Sequence, residues 1–386
     1  MSYRISILEF SKHNEIVWSF LKIILTRENQ VDVFVNEFVY HQLYDFHKDA
    51  RIQWFIKPEG LSSSEFISLH RSHLLTRDRL LFTSVPPRDL KMFEDRELAS
   101  ISSLLIYNLH FYASEFHDIN EDVNVVNMIK GQFTSQRKYI KTAFAHVDQI
   151  LVPSKQIFDY AMHNNINGID GFLNVSVLNK LKKRKAKKKL RIVVPGRISS
   201  ARKNYEPIFK ALSVLNELEL DKKINVTFLG MVDNKQVGQR LNELAAEING
   251  NIEIEHFPAF VPQKNFNKIM KKSDFLILPI AERMEDGLVK ESYGFSTVSG
   301  CISDMVKFGK PALLPSFYPL DHALESMTKR YNSEDDLIAI LQDWVDNQSF
   351  QDLSVEEYKA YLPKAQADTF FNTIIPKRIA AKKHVA

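Results

Sequence analysis

Apolar and polar positions alternate along the chain in a pattern that predicts short strands separated by amphipathic helices. Arg4–Phe10 alternates polar and apolar side chains, which is typical of a strand. Between Glu15 and Leu25 the apolar residues recur at the spacing of one helix face. The further predicted strands are Val31–Val35, Ile52–Ile56, Leu80–Ser84, Ser103–Leu109, Gln149–Val152, Leu190–Val194, Asn225–Leu229, Ile252–Glu255, Phe275–Pro279 and Ala312–Leu314.

This alternation predicts an α/β fold with parallel sheets covered by helices. A length of 386 residues exceeds one ordinary core, so two doubly wound, Rossmann-like domains are expected. We place them at residues 1–178 and 190–348, with a basic linker at 179–189. The helical segment 349–386 is rich in aromatic residues, and we expect it to return to the first domain. Two such domains facing a cleft would bind ligands at the carboxyl ends of their strands.

Composition adds a prediction about the compartment. The only cysteine in the sequence is Cys301, so the chain has no internal disulfide, which fits a reducing environment. The sequence has no run of about 18 apolar residues, so no membrane-spanning helix is expected. The first residues read as a strand rather than a signal peptide. We therefore expect a cytoplasmic protein.

The positive charge is concentrated in one place. Seven of the nine residues from Leu181 to Lys189 are Lys or Arg. A solvated linker between domains is one interpretation. Weak attraction to an anionic membrane is another, which would place the protein peripherally at the inner face of the cell membrane. A nucleic-acid partner is not expected, since the run has no aromatic residues for base stacking.

The most informative stretch runs from residue 291 to residue 314. Thr297, Ser299 and Gly300 supply hydroxyls and unobstructed backbone N–H groups just before a helix predicted to start near Cys301 and to stop at Gly309. The first turn of such a helix attracts a phosphate through its unpaired N–H groups and its dipole. An ordinary connection from loop to helix to strand is the alternative.

A second candidate follows the strand Leu190–Val194. Gly196 permits a tight turn, Arg197 leaves the strand end, and Lys203 and Asn204 precede the next helix. Two cations with exposed N–H groups suit a diphosphate, because Arg can grip oxygens in pairs and Lys adds a mobile point charge. A basic surface loop is the alternative for this turn taken alone.

A third candidate is the loop after the strand Ile252–Glu255. Main-chain groups around Phe260 and Val261 could read the edge of a flat nucleobase, with Phe260 as a wall. Core packing of the loop phenylalanines is the alternative.

Together these stretches resemble nucleotide-sugar-dependent glycosyltransferases of the GT-B fold, above all the large retaining family that builds bacterial polysaccharides. The resemblance rests on Gly196-Arg197, Lys203-Asn204, the Phe260-Val261 loop, the strand from Asp274 to Pro279 and the turn-helix from Ser299 to Pro311. It covers residues 190–320 well, and the first domain only through pattern.

The resemblance implies roles for these residues. Arg197 and Lys203 would bind the donor diphosphate and stabilise the departing nucleoside diphosphate, and Asp304 would accept hydrogen bonds from the ribose. The other residues of the donor site would be Gly196, Asn204, Phe260, Val261, Thr297, Ser299 and Gly300.

One feature departs from the family, which often carries two glutamates eight positions apart. Counting back eight from Asp304 gives Ser296, which is not an acid. Glu291, Glu285 or Glu282 could replace the missing contact to the donor sugar, so the identity of that sugar is not predicted.

Candidates in the first domain come from the ends of its strands. His110 follows the strand Ser103–Leu109. The resemblance implies that it faces the donor sugar. The alternative is that its ring is hydrogen-bonded within its own loop and has no role in binding. His13 and Asp118 are candidates for the acceptor side. Neither a metal site nor a dinucleotide fingerprint is found, so we expect no cofactor.

Three hypotheses follow. The chain is a glycosyltransferase that moves a sugar from a nucleoside-diphosphate donor to a glycan or lipid-linked hydroxyl, with retention favoured by the resemblance alone. An enzyme like the nucleotide-sugar 2-epimerases shares the architecture and a Ser-Gly turn before Gly-Lys-Pro. A catalytically degenerate GT-B domain that acts as a binding partner is the third.

Overall fold

The computed structural model describes residues 3–27, 29–113, 136–180, 187–218, 220–248, 250–286 and 289–375. These residues fall into two compact units. The first comprises the described residues up to Val175 together with those from Pro363 onward, and the second comprises those from Ser176 to Leu362.

Within the described residues, the first unit contains a seven-stranded parallel sheet in the order β3-β2-β1-β4-β5-β6-β7. Its strands are β1 Arg4–Glu9, β2 Gln30–Asn36, β3 Ile52–Lys57, β4 Arg79–Ser84, β5 Ser102–Leu105, β6 Gln149–Val152 and β7 Gly171–Phe172. Its helices are α1 Asn14–Ile24, α2 Glu37–Gln42, α3 Ser63–Leu69, α4 Arg71–Leu74, α5 Arg96–Ser100, α6 Leu109–Ala113, α7 Gln136–His146 and α8 Lys155–His163.

The central strands of this sheet are buried on both faces. Ile7 of β1 lies opposite Val33 of β2 and Leu81 of β4, and all three side chains are inaccessible to solvent. Burial on both faces is what a parallel sheet between helices requires, and it explains the near-continuous apolar runs of these strands.

The described part of the second unit contains a six-stranded parallel sheet in the order β10-β9-β8-β11-β14-β15. Its strands are β8 Lys189–Pro195, β9 Lys223–Met231, β10 Ile252–Phe257, β11 Phe275–Ile277, β14 Ala312–Pro315 and β15 Thr328–Tyr331. Its helices are α9 Glu206–Asn216, α10 Lys235–Glu247, α11 Gln263–Lys272, α12 Gly300–Phe308, α13 His322–Glu325 and α14 Glu334–Asp346.

Alternate residues of these strands feed two separate hydrophobic cores. Ile192 and Val194 of β8 point into a core that contains Phe275 and Trp344. Val193 points to the opposite face, into a core shared with the helix α12. The sheet is therefore covered on both sides, as in a doubly wound domain.

A two-stranded antiparallel hairpin, which the sequence pattern did not predict, precedes α12. β12 Arg283–Asp286 pairs with β13 Val289–Ser292, and Glu291 lies opposite Met284. Both of these side chains are buried. The segment is rich in charged residues, so its strand character depends on a pairing partner that sequence periodicity does not reveal.

The C-terminal helix returns to the first unit, as expected. This helix, α15 Pro363–Ile374, packs on α1, where the rings of Phe20 and Phe370 lie 5.3 Å apart. Residues 349–362 of the same predicted segment belong to the second unit instead. Phe350 packs there against Phe275, because the core beside β11 accepts its ring.

No helix in the described ranges is both long and apolar enough to cross a membrane.

The Phe20–Phe370 contact gives a stability prediction. Phe370→Ala should lower the free energy of unfolding of the first unit by about 3–5 kcal/mol, because Phe370 is buried and its loss leaves a cavity. The measurement is urea unfolding followed by tryptophan fluorescence, to which Trp18 of α1 contributes.

Leu69→Ala is the matched control in the same unit, since Leu69 is 71% exposed and should cost no more than about 0.5 kcal/mol. Equal effects of the two substitutions would contradict the packing of α15 on α1.

Candidate functional site

The predicted phosphate turn of the second unit lies directly after β8. Gly196 has φ of +84°, a conformation that favours glycine. Its N–H donates to Leu229 O at 2.9 Å, and Ile198 N–H donates to Met231 O at 3.0 Å. A Cβ on Gly230 would lie 2.4 Å from Gly196 O, so β9 can approach the turn this closely only with glycine at that position. The turn is therefore held along its length by the end of β9.

Arg197 points from this turn toward solvent. Its side chain is 58% exposed, and Nε lies 2.6 Å from Oδ2 of Asp233, which follows β9. A guanidinium has five N–H donors and one carboxylate can occupy only some of them. The remaining donors suit an anionic ligand.

Lys203 is buried, in contrast to the expected mobile point charge. Its Nζ donates to Pro195 O at 2.5 Å and would lie 3.2 Å from a Cβ on Gly196. Backbone pairing of Lys203 with Ile280, and a bond from Asn204 N–H to Pro279 O at 2.9 Å, fix the residues around it. Lys203 thus stiffens the Gly196 turn and places its positive group directly beneath that turn.

The helix α12 is joined to the same point. Its N-terminal residue is Gly300, preceded by Ser299, and it ends at Gly309 in the left-handed conformation, as the sequence predicted. Cys301 Sγ donates to Pro195 O at 3.2 Å, the oxygen that also accepts from Lys203. The two predicted phosphate-binding stretches therefore meet at one carbonyl. Cys301 was not among the predicted site residues, and its contact depends on tertiary packing.

Space is available in front of this helix. A Cβ on Gly300 would meet no atom within 4 Å, and the Ser299 side chain makes no capping hydrogen bond to the helix. The N-terminus of α12 is thus not covered at Gly300. Asp304, predicted to meet the ribose, is half-buried one turn further along.

Ser296 and Thr297, just before α12, lie inside the unit. Ser296 Oγ accepts from Ser292 N–H at 2.8 Å and so closes the turn after β13. Thr297 is buried, and its carbonyl accepts from Gly294 N–H at 2.7 Å. These contacts shape the loop before α12.

Glu291 is fully buried on β13, although its type of side chain is usually exposed. It stands eight positions before Ser299, the residue that precedes the first turn of α12. Glu291, a candidate for the contact to the donor sugar, therefore lies inside the unit and not on an exposed loop.

The predicted nucleobase loop lines a cavity of about 450 Å³ between the end of β10 and α11. Phe260 is 54% exposed at its rim, while Val261 is buried and packs into the core beside α12. Lys268 and Asn265 of α11 supply polar groups to the wall. The cavity is mostly apolar and has room for a flat ring.

In the first unit, His110 lies on α6 with a neighbour on α8. Its Nε2 is 3.0 Å from the hydroxyl of Tyr160, and the two ring centroids are 5.6 Å apart. This contact fits the alternative that the His110 ring is hydrogen-bonded to a neighbouring side chain of its own unit. Asp118 lies outside the described residues.

His13 forms a second aromatic contact in this unit, at the carboxyl end of β1. Its ring stacks on Tyr107 at 5.0 Å with an interplanar angle of 6°. Its Nδ1 lies 3.2 Å from Oε1 of Glu15. A carboxylate that accepts from Nδ1–H selects the tautomer whose Nε2 can take up a proton. The arrangement is chemically suited to a general base.

Glu9, the last residue of β1, has no exposed surface and was not predicted. Its carboxyl accepts hydrogen bonds from Thr83 Oγ1 at 2.6 Å, Ser11 N–H at 2.7 Å and Ser84 Oγ at 2.8 Å. Burial raises the pKa of Glu9, and His13 and these hydrogen bonds oppose the rise only in part. The sequence did contain a signal for this residue, since Glu9 is a charged residue at the end of an otherwise apolar strand.

Tyr107 carries a buried hydroxyl that has no hydrogen-bond partner among the described residues. Burial raises its pKa well above the ordinary value, and Glu9 and Glu15 add to the rise. Within the described ranges no group of three or more His, Cys, Asp or Glu side chains is placed to hold a metal ion.

The fold of the whole chain matches solved structures. TarM aligns with a TM-score of 0.57 at 11% identity, over 96% of this chain and 98% of that chain. A putative UDP-N-acetylglucosamine 2-epimerase from Listeria monocytogenes aligns with a TM-score of 0.55 at 12% identity, over 97% and 96%. Anabaena Alr3699/HepE in complex with UDP-glucose aligns with a TM-score of 0.54 at 11% identity, over 96% and 95%.

The chain has the GT-B fold. The fold predicted from the sequence is thereby confirmed, and it is one that glycosyltransferases and UDP-sugar epimerases share. Neither a protein-family model nor a curated protein sequence matches this chain. At identities of 11–12% the likeness shows the fold, and the chemistry has to be argued from the residues.

The buried Glu9 gives a pH prediction. A carboxyl whose pKa is raised on folding binds more protons in the folded state, so its contribution to stability is lost as pH rises through the folded pKa. The unfolding free energy of the wild type relative to Glu9→Gln should therefore fall from about pH 4.5 upward, by at most about 1.4 kcal/mol per pH unit.

Urea unfolding of both proteins between pH 4.5 and pH 8 measures this difference. Glu59→Gln, which alters an exposed carboxylate of the same unit, should show no such trend. A wild-type minus Glu9→Gln difference that stays constant over this range would show that Glu9 has no raised pKa.

Proposed function

We propose that this protein is a glycosyltransferase that moves a sugar from a nucleoside-diphosphate sugar to a hydroxyl of a glycan or lipid-linked acceptor. Its place would be in the synthesis of bacterial surface polysaccharide or glycoconjugate. The observation that carries the proposal is the meeting of the Gly196 turn, Lys203 and the N-terminus of α12 at Pro195 O.

The diphosphate of the donor would lie over this junction. Arg197 would bind its oxygens from the exposed side, and the N–H groups at the start of α12 would point their dipole at the same charge. Lys203 adds a fixed positive group beneath the turn. Such preorganised groups stabilise the negative charge that develops on the departing nucleoside diphosphate. We propose that they suffice without a metal ion.

With the diphosphate bound there, the ribose, the nucleobase and the sugar of the donor would contact other residues of the second unit. Asp304 lies one turn into α12 and would accept hydrogen bonds from the ribose hydroxyls. The cavity beside Phe260 and Val261 would take the nucleobase. Glu291 would contact the donor sugar or fix the loop that does so, since it is a buried acid of the hairpin that leads to α12.

Retention of configuration is the version that the family resemblance favours. The leaving phosphate can then take the proton of the acceptor hydroxyl. The His13–Glu15 pair supports an inverting alternative, because it could remove that proton as a general base. The anomeric configuration of the product, read by NMR, decides between the two.

We further propose a cytoplasmic location, with peripheral membrane contact through the basic run. Only its last residues, Lys187–Lys189, are described, and Lys187 and Lys189 form ion pairs with Asp274 and Glu253.

The central test is an assay of the purified protein with UDP-, GDP-, ADP- and TDP-sugars, with and without a glycan acceptor and with EDTA. Release of nucleoside diphosphate that rises with acceptor and survives EDTA supports the proposal. Formation of free sugar or of an epimer would favour the epimerase hypothesis. Folded protein that binds none of the nucleotides would refute both enzyme hypotheses and leave the degenerate binding partner.

Arg197→Ala should weaken donor binding by about 10- to 100-fold, the effect expected from the loss of a hydrogen bond between a charged side chain and the ligand. Arg202→Ala is the matched control, because Arg202 is an exposed arginine of the same loop. Isothermal titration calorimetry with the preferred nucleoside diphosphate measures both variants. Equal losses would mean that the loop acts through its general charge and that Arg197 has no specific role.

A further inference from the structure

Asp233 forms the closest polar contact that the structure gives to the Arg197 side chain. Its Oδ2 lies 2.6 Å from Arg197 Nε, and its side chain is 22% exposed, against 58% for Arg197. The more buried partner of the pair is therefore the carboxylate. Asp233 follows β9, and none of the donor contacts proposed above involves it.

The backbone holds the two residues in register. Ile198 pairs with Val232 in a parallel bridge, and Asp233 N–H donates to Ile198 O at 3.2 Å. Ile198 N–H donates in turn to Met231 O at 3.0 Å. The residues on either side of the ion pair are thus fixed relative to each other before any ligand binds.

A long, exposed arginine side chain samples many rotamers, and binding a ligand in one of them costs entropy. A carboxylate on a fixed turn that holds Nε reduces the number of these rotamers in advance. It leaves most of the five guanidinium donors for an anion. The carboxylate is also negative, so it would repel a phosphate placed on the same side. If ordering of Arg197 dominates, loss of the Asp233 carboxylate should weaken binding of a phosphate. If repulsion dominates, the same loss should strengthen binding.

We infer that Asp233 is a positioning residue, which orients the Arg197 guanidinium for a nucleoside diphosphate. The inference rests on the proposed function and deepens it. Because the carboxylate approaches Nε most closely and is the more buried partner, the ordering effect outweighs the repulsion. Asp233 therefore acts on the ligand through Arg197 and needs no contact with it.

Substitutions of Asp233 test whether it positions Arg197. Asp233→Ala should weaken binding of the preferred nucleoside diphosphate about 10-fold. Asp233→Asn keeps a side-chain oxygen beside Nε but loses the charge of the ion pair, so it should weaken binding only about 3-fold. Asp221→Ala removes an exposed acid elsewhere in the same unit and should leave the affinity unchanged. Calorimetry with UDP, GDP, ADP and TDP measures all the variants.

The decisive comparison is made in a background without Arg197. If Asp233 acts through Arg197, then Arg197→Ala with Asp233→Ala should bind as Arg197→Ala does alone, because removing the intermediary removes the effect. Melting curves check the fold. The pair is partly exposed, so Asp233→Ala should shift Tm by less than about 4 °C. If Asp233→Ala does not fold, the smaller loss expected of Asp233→Asn, measured alone and together with Arg197→Ala, carries the test.

Three outcomes would overturn the inference. Unchanged or tighter binding by Asp233→Ala would show that the carboxylate is neutral or competes with the ligand. A further loss of affinity in the double variant would show that Asp233 acts independently of Arg197. If the folded wild type binds none of the four nucleotides, the proposed function fails and the inference fails with it, whereas the first two outcomes leave the proposed function intact.

Discussion

Lys203 lies almost wholly inside the second unit, so its side-chain nitrogen must find an acceptor there. A buried polar group without a partner costs about 1–3 kcal/mol, and more when it is charged. The partner is Pro195 O at the end of β8, the oxygen that Cys301 Sγ also approaches from α12. This shared acceptor joins the strand, the Gly196 turn and the helix N-terminus. The position of Lys203 and of the first turn of α12 relative to the Gly196 turn depends on it.

Rigidity at this junction has a chemical consequence. Groups that stabilise developing charge are most effective when they are already oriented, since no free energy is then spent on moving them. The buried members, Lys203 and Cys301, fix the junction, and Arg197 beside it is exposed to solvent. A rigid strand end that carries variable exposed side chains is how α/β folds host many chemistries.

The first unit places different chemistry at the carboxyl ends of β1 and β5. There the groups are a buried carboxyl, an imidazole and a buried phenol, contributed by Glu9, His13 and Tyr107. Such groups exchange protons and hydrogen-bond with hydroxyls, while the second unit presents positive groups suited to phosphate. Two doubly wound units of one chain thus carry unlike groups at their strand ends, because the side chains after their strands differ while the backbone plan is the same.

Most strands of the two sheets follow from the sequence alone, because burial on both faces of a parallel sheet demands apolar runs at regular intervals. The short edge strands β7 and β15 were not predicted. The turn at Gly196 and the helix stop at Gly309 were also predictable, since both need a left-handed backbone that favours glycine. The hairpin before α12, the burial of Glu291 and Lys203 and the contact of Cys301 with Pro195 were not. Each depends on a partner distant in sequence, and periodicity reports only how a residue relates to its own segment. The sequence therefore determined most strands of the two sheets and the glycines at their turns, and the tertiary structure decided which polar side chains are buried and which stay exposed, because burial depends on contacts between distant segments.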